Sequence, residues 1–112
     1  NFSIQRALFM LGLLFACSST VQAGGDPAVG KAKSEVCAGC HGADGNQPTA
    51  PMYPILAGQH ANYLSHALHD YKSGKRKNPV MAGFAGALSD QDIADLAAYF
   101  SRQNGKLKVL PQ

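Results

Sequence analysis

Cys37 and Cys40 stand three apart in the stretch VCAGCHGADG, with His41 directly behind the second cysteine. Two thiols and an imidazole at this spacing support three chemistries: a dithiol switch, half of a zinc site, or an attachment point for something larger. A thioredoxin-type switch needs its cysteines at the start of a helix in a strand–helix–strand setting, and no segment of any length here alternates polar and apolar residues. Zinc needs two further ligands. His66 and His69 form an H-x-x-H, but 25 residues lie between Cys40 and His66, beyond finger spacing, and both fall on a segment whose apolar stripe is needed for packing. Zinc would also leave His41 without a purpose.

The third chemistry uses all three residues. C-x-x-C-H is the attachment signature of c-type haem. Cysteines at i and i+3 lie on one side of a helical turn, so their sulfurs can form thioethers with the vinyl groups of neighbouring pyrroles. The next residue then projects its imidazole towards the iron. A haem would also supply an apolar plate for short helices to pack around, which matters in a small domain with no Trp.

The N-terminus supports the same reading. Arg6 precedes an apolar run from Ala7 to Cys17, followed by a polar stretch and Val21-Gln22-Ala23, which fits a secretory signal peptide over residues 1–23, cleaved after Ala23. The run is too short to span a bilayer. A lipobox reading through Cys17 and a buried N-terminal helix are weaker: Phe15 sits badly in the first, and the run has no polar face for the second. Residues 24–112 then form one domain, exported to the periplasm, with nine Lys and Arg against seven Asp and Glu. That balance excludes a nucleic-acid footprint and predicts no nucleic-acid partner. The positives bunch only at Lys72, Lys75, Arg76 and Lys77, a solvated face or a docking patch. A disulfide between Cys37 and Cys40 would close a loop too short to constrain the unfolded chain.

The elements that must position this motif are helices joined by Gly/Pro loops. Asp26 ahead of Pro27 predicts a helix that runs into the CAGCH stretch. Three prolines and two glycines between Gly42 and Pro54 predict a loop. A second helix is expected over about His60–Ser73, with Tyr63, Leu64, Ala67, Leu68 and Tyr71 on one stripe and Gly74 as its stop. In a third, Ser89 and Asp92 resemble a capping box, Asp90, Asp92 and Asp95 favour the N-terminal end, and Ile93, Leu96, Ala97 and Phe100 form the buried stripe. Arg102 suits its last turn and Gly105 its exit. The fold class is all-α.

From Asp26 to Gln103 the chain resembles a class I c-type cytochrome of the single-haem bacterial kind, similar to one half of the tandem di-haem cytochromes. The residues that carry the likeness are C-A-G-C-H, the P-x-L-x-G of Pro54, Leu56 and Gly58 placed 13 residues after His41, and the ending LSDQDIADLAAYF. The resemblance implies a cytochrome c fold of three main helices plus short helices and loops around one covalently bound haem. Cys37 and Cys40 would carry the thioethers and His41 the proximal iron bond. Pro54 would accept the ring N–H of His41 on its carbonyl, and Leu56 would pack on the haem.

A methionine thioether as the second axial ligand favours reduced iron. Met52, inside the Pro54 segment, is tied to the proximal side. Met81, in NPVMAGF, is expected in a loop between the second and third helices, held by Pro79 and Gly83, and is the better distal ligand. Arg76 is a candidate contact for a haem propionate. The implied function is a monomeric electron carrier, not an enzyme, without a small-molecule substrate. Its partners would be redox proteins such as membrane respiratory complexes, oxidases or reductases. The rival readings are an enzyme or sensor with an open distal site served by His60, His66 or His69, and a subunit of a larger oxidoreductase.

Overall fold

The computed structural model describes residues 24–111, so the expected signal segment lies outside the described residues. Five helices follow one another: α1 (Pro27–Lys33), α2 (Glu35–His41), α3 (Ala61–Ser73), α4 (Pro79–Gly86) and α5 (Asp90–Ser101), with no strand among the described residues. Helix α5 is the axis. It packs against α1 on one side and α3 on the other, and α4 leans on α3.

The helix expected from Pro27 through the cysteines is two helices. Asp26 caps α1 as its sequence predicts, its carboxylate accepting from the backbone N–H groups of Ala28 and Val29. Ser34 then ends it: the hydroxyl donates 2.7 Å back to the Lys31 carbonyl, competing with the helical ladder, and the chain restarts at Glu35. Helix α3 begins at Ala61 with His60 as its cap residue, and Gly74 stops it at φ 81°, a left-handed conformation that suits glycine.

Helix α4 occupies the segment expected as a loop. Asn78 Oδ1 accepts from the N–H groups of Val80 and Met81, and Pro79 takes the first helical position, so a short helix forms despite Gly83 and Gly86. In α5 the capping box is real: Ser89 Oγ accepts from Asp92 N–H, and Asp92 Oδ2 accepts from Ser89 N–H. The helix ends at Ser101, so Gly105 lies beyond its exit.

The core is Leu64, Leu96, Ala97, Tyr99 and Phe100, with Leu56, Leu68, Leu88 and Cys37 packed against it. The α1–α5 crossing is a contact of backbones. A Cβ built on Gly30 would lie 2.0 Å from the Asp95 carbonyl oxygen and 2.8 Å from Tyr99 Cβ, so glycine is what lets the helices approach.

Beside this contact sits a polar knot. Asp95 is 2% exposed. Its Oδ1 accepts from Asp26 N–H and from Gln91 Nε2, both at 2.8 Å, and its Oδ2 lies 2.8 Å from Lys33 Nζ, which also reaches Asp92. Burial alone would raise the Asp95 pKa. The bonds from Lys33, Asp26 and Gln91 outweigh it and hold the carboxyl below 3.8. Asp92, bonded by Lys33 and by Ser89, falls to about 2.

Both carboxylates bind protons more weakly in the folded chain than in the unfolded one. Their stabilisation is therefore complete above about pH 4 and is lost as pH falls towards 2. Asp95→Ala, which leaves the Asp26 N–H and the Gln91 amide without their acceptor and Lys33 with Asp92 alone, is expected to cost about 2 kcal/mol, or roughly 8–16 °C in Tm for a domain of this size. Thermal melts at pH 7 and pH 3 check it. The variant's deficit should shrink at the lower pH, and an equal deficit at both would refute the linkage.

Candidate haem site

Helix α2 delivers the CxxCH motif to the rim of a cavity of about 710 Å³. Cys37, Cys40, His41, Pro54, Leu56, Arg76 and Met81, which are all the residues expected at the site, line this one cavity. Between Gly42 and Pro54 the chain folds back on the end of α2. Thr49 N–H donates 3.0 Å to the Cys40 carbonyl, and the Thr49 hydroxyl donates 3.1 Å to that of Gly39, satisfying carbonyls that the helix end leaves open. The same loop is pinned further on by Leu56 N–H to Gly45 O at 2.8 Å.

That fold-back carries the Pro54 carbonyl to 2.8 Å from His41 Nδ1. A carbonyl can only accept, so Nδ1 carries the proton and donates. Nε2 is thereby left with its lone pair free, the form an imidazole needs to bind a metal. His41 is buried, and the Tyr53 ring, its centroid 6.2 Å away, flanks it.

Both cysteines are free and half-buried. Burial pushes the Cys37 thiol up, and Cys40 adds to the rise. Cys37 is therefore not set up as the low-pKa thiolate of a redox pair.

Met81 is half-buried in the first turn of α4, while Met52 is 77% exposed. Both touch the cavity, but Met52 lies two residues before Pro54 and so belongs to the side that orients His41. The α3 stripe of Tyr63, Leu64, Ala67, Leu68 and Tyr71 also lines the cavity. Sequence reasoning placed this stripe correctly and assigned it to packing between helices; much of it instead faces the space that a ligand would fill.

Arg76 stacks over Tyr71, its guanidinium carbon 4.9 Å from the ring centroid. The Lys72 ammonium, still exposed, donates to the Leu88 carbonyl. Val80, Phe84 and Leu107 line the cavity without having been expected there. The first two follow from α4 being helical, and Leu107 lies past every motif.

His66 and His69 take no part in the cavity. They pair loosely with Asp70 (3.5 Å) and Asp90 (3.9 Å), and among the described residues no three His, Cys, Asp or Glu gather to hold a metal ion. No described helix is long and apolar enough to cross a membrane.

The donor set fits a c-type haem: an apolar slot, two thiols and an imidazole from α2 on its lining, and a thioether sulfur on its lining from α4. A pocket of this build defines a haem protein. Comparison with known proteins agrees. The cytochrome c family model matches residues 28–103, and the chain belongs to that family, whose members carry covalently bound haem c with its iron.

Over 100 residues the chain is 49% identical to cytochrome c4 of Pseudomonas aeruginosa, covering 89% of this chain and 49% of that one. It is 43% identical over 77 residues to the thiosulfate dehydrogenase electron acceptor of Stutzerimonas stutzeri, covering 69% and 33%. The crystal structure of reduced cytochrome c4 from Pseudomonas stutzeri superposes with a TM-score of 0.70 at 45% identity, over 75% of this chain and 48% of that one. The chain thus spans half or less of the length of these relatives.

Proposed function

We propose that this domain is a periplasmic single-electron carrier whose iron is held between His41 Nε2 and the Met81 thioether, with Cys37 and Cys40 fixing the porphyrin covalently. The observation that carries the reading is the His41 Nδ1 to Pro54 carbonyl bond inside a cavity that Met81 also lines. It fixes the tautomer, aims the free nitrogen into the slot and raises the basicity of the ring.

The haem supplies the one-electron couple. The chain's own residues hold it in place, keep water away from it and fill its coordination, so a change of one electron demands little rearrangement. With His41 and Met81 both holding the group, the chain would leave no open position on it for a substrate. The names of the relatives support a redox protein as partner, a dehydrogenase among the candidates.

Lys75, Arg76 and Lys77 are exposed, Arg76 lines the cavity, and the three would steer an acidic partner. Reversing the charge of Lys75 and Lys77 together is expected to slow electron transfer at low salt severalfold and to flatten its salt dependence, measured by stopped flow with an acidic redox partner. Unchanged rates would remove the steering role.

The decisive test of the function is an optical spectrum of the matured holoprotein in both oxidation states, with carbon monoxide added to the reduced form. Covalent haem that resists carbon monoxide is the expected result, and rapid binding would reassign the protein to open-site chemistry.

A further inference from the structure

The family-matched segment stops at residue 103, yet the chain beyond it returns to the cavity. Asn46 Nδ2 donates 2.5 Å to the Asn104 carbonyl, tying the exit of α5 to the loop that follows the CxxCH motif. Asn46 Nδ2 also holds Asp44 Oδ2 at 3.2 Å, so the tie is itself braced. Gly105 is then pressed onto Ala57. A Cβ there would lie 2.2 Å from the Ala57 carbonyl oxygen, and Ala57 is fully buried. Ala57 sits three residues after Pro54, and Gly58 N–H is bonded 2.9 Å to the Phe100 carbonyl, so this seat is part of the wall that presents Pro54 to His41. Two residues on, Leu107 is half-buried and lines the cavity, whereas Leu110 is 82% exposed and does not.

We propose that residues 104–107 form a strap that completes the wall of the haem pocket from outside the family-matched segment, and that Leu107 raises the reduction potential by keeping water from that side. The inference rests on the haem reading above. Oxidation by one electron leaves one more positive charge in the pocket, and water admitted at the wall stabilises that charge. An apolar side chain at the wall therefore favours the reduced form. Leu107 touches the pocket but supplies no ligand, so it acts as a tuning residue.

The test is a spectroelectrochemical titration of holoprotein carrying Leu107→Asn, which keeps the branching and the number of side-chain heavy atoms and admits water. The ratio of reduced to oxidised protein at a fixed applied potential should fall about threefold to tenfold, the upper figure corresponding to a shift of about 59 mV for one electron. Leu107→Met should keep the parental ratio, as should Leu110→Asn, which changes an equally apolar side chain off the pocket. If Leu107→Asn does not mature, Leu107→Ala replaces it, with a smaller fall in the same direction.

A ratio within twofold of the parent, in a variant whose spectrum is otherwise parental, overturns the tuning role. So does failure of Leu107→Ala to take up haem when Leu110→Ala does, because the residue would then serve assembly. A parent without a c-type spectrum would instead sink the haem reading itself, which keeps the two failures distinct.

Discussion

Met81→Ala is expected to lower the reduction potential by a sizeable part of the roughly 0.8 V that axial ligation commands, and to let the reduced protein bind carbon monoxide. Thioether sulfur is a soft donor that stabilises ferrous iron. Removing it leaves water or an empty position, both of which favour the ferric state. The fold should survive, because Met81 is half-buried near the start of α4, where Asn78 caps the helix through the backbone N–H groups of residues 80 and 81. Met52→Ala is the matched control, since that side chain is 77% exposed and belongs to the side of the cavity that carries Pro54. A potential that moves with Met52 and stays with Met81 would reverse the ligand assignment.

The second large effect concerns folding without the prosthetic group. Apolar side chains from α3, α4 and α5 line a cleft of about 710 Å³. Without the group this lining would face water or have to collapse, and the burial lost need only rival the roughly 5–15 kcal/mol by which domains are stable at all. Chain carrying Cys37→Ser and Cys40→Ser, produced without haem, is therefore expected to lack cooperative structure at 25 °C. Circular dichroism should show most of the helical signal lost and no thermal transition. A sharp melt with parental helix content would mean that the walls collapse onto each other and that the haem is dispensable for the fold.

The site was more legible than the scaffold. Cys37, Cys40 and His41 are contiguous in sequence, and covalent attachment needs that contiguity, so the chemistry is written in one turn of helix. Pro54 could be placed because its carbonyl belongs to a short motif at fixed distance from His41. The break at Ser34 was not legible, because it depends on a hydroxyl choosing the Lys31 carbonyl over solvent, which pattern alone does not dictate. For Met81 the signal was present: Asn78-Pro79 repeats the Asp26-Pro27 start of α1, and two nearby glycines masked it.

Asp95 reads from sequence as one more acid near a helix start. Its burial comes from α1 crossing at Gly30, a long-range fact. The α3 stripe had the right period, but a period cannot say whether the covering surface is protein or porphyrin.

The crossing of α1 and α5 at Gly30 also bears on the order in which the molecule is put together. The thiols lie a few residues after α1, whereas the helices that finish the opposite wall are the last to be made. Joining the two ends closes a loop of more than sixty residues, an entropic cost that the latest-made helix cannot recover until it exists. A nascent chain tethered to its pigment early would have a nucleus to condense on before the ends meet, so maturation speed should depend on how soon the tether forms.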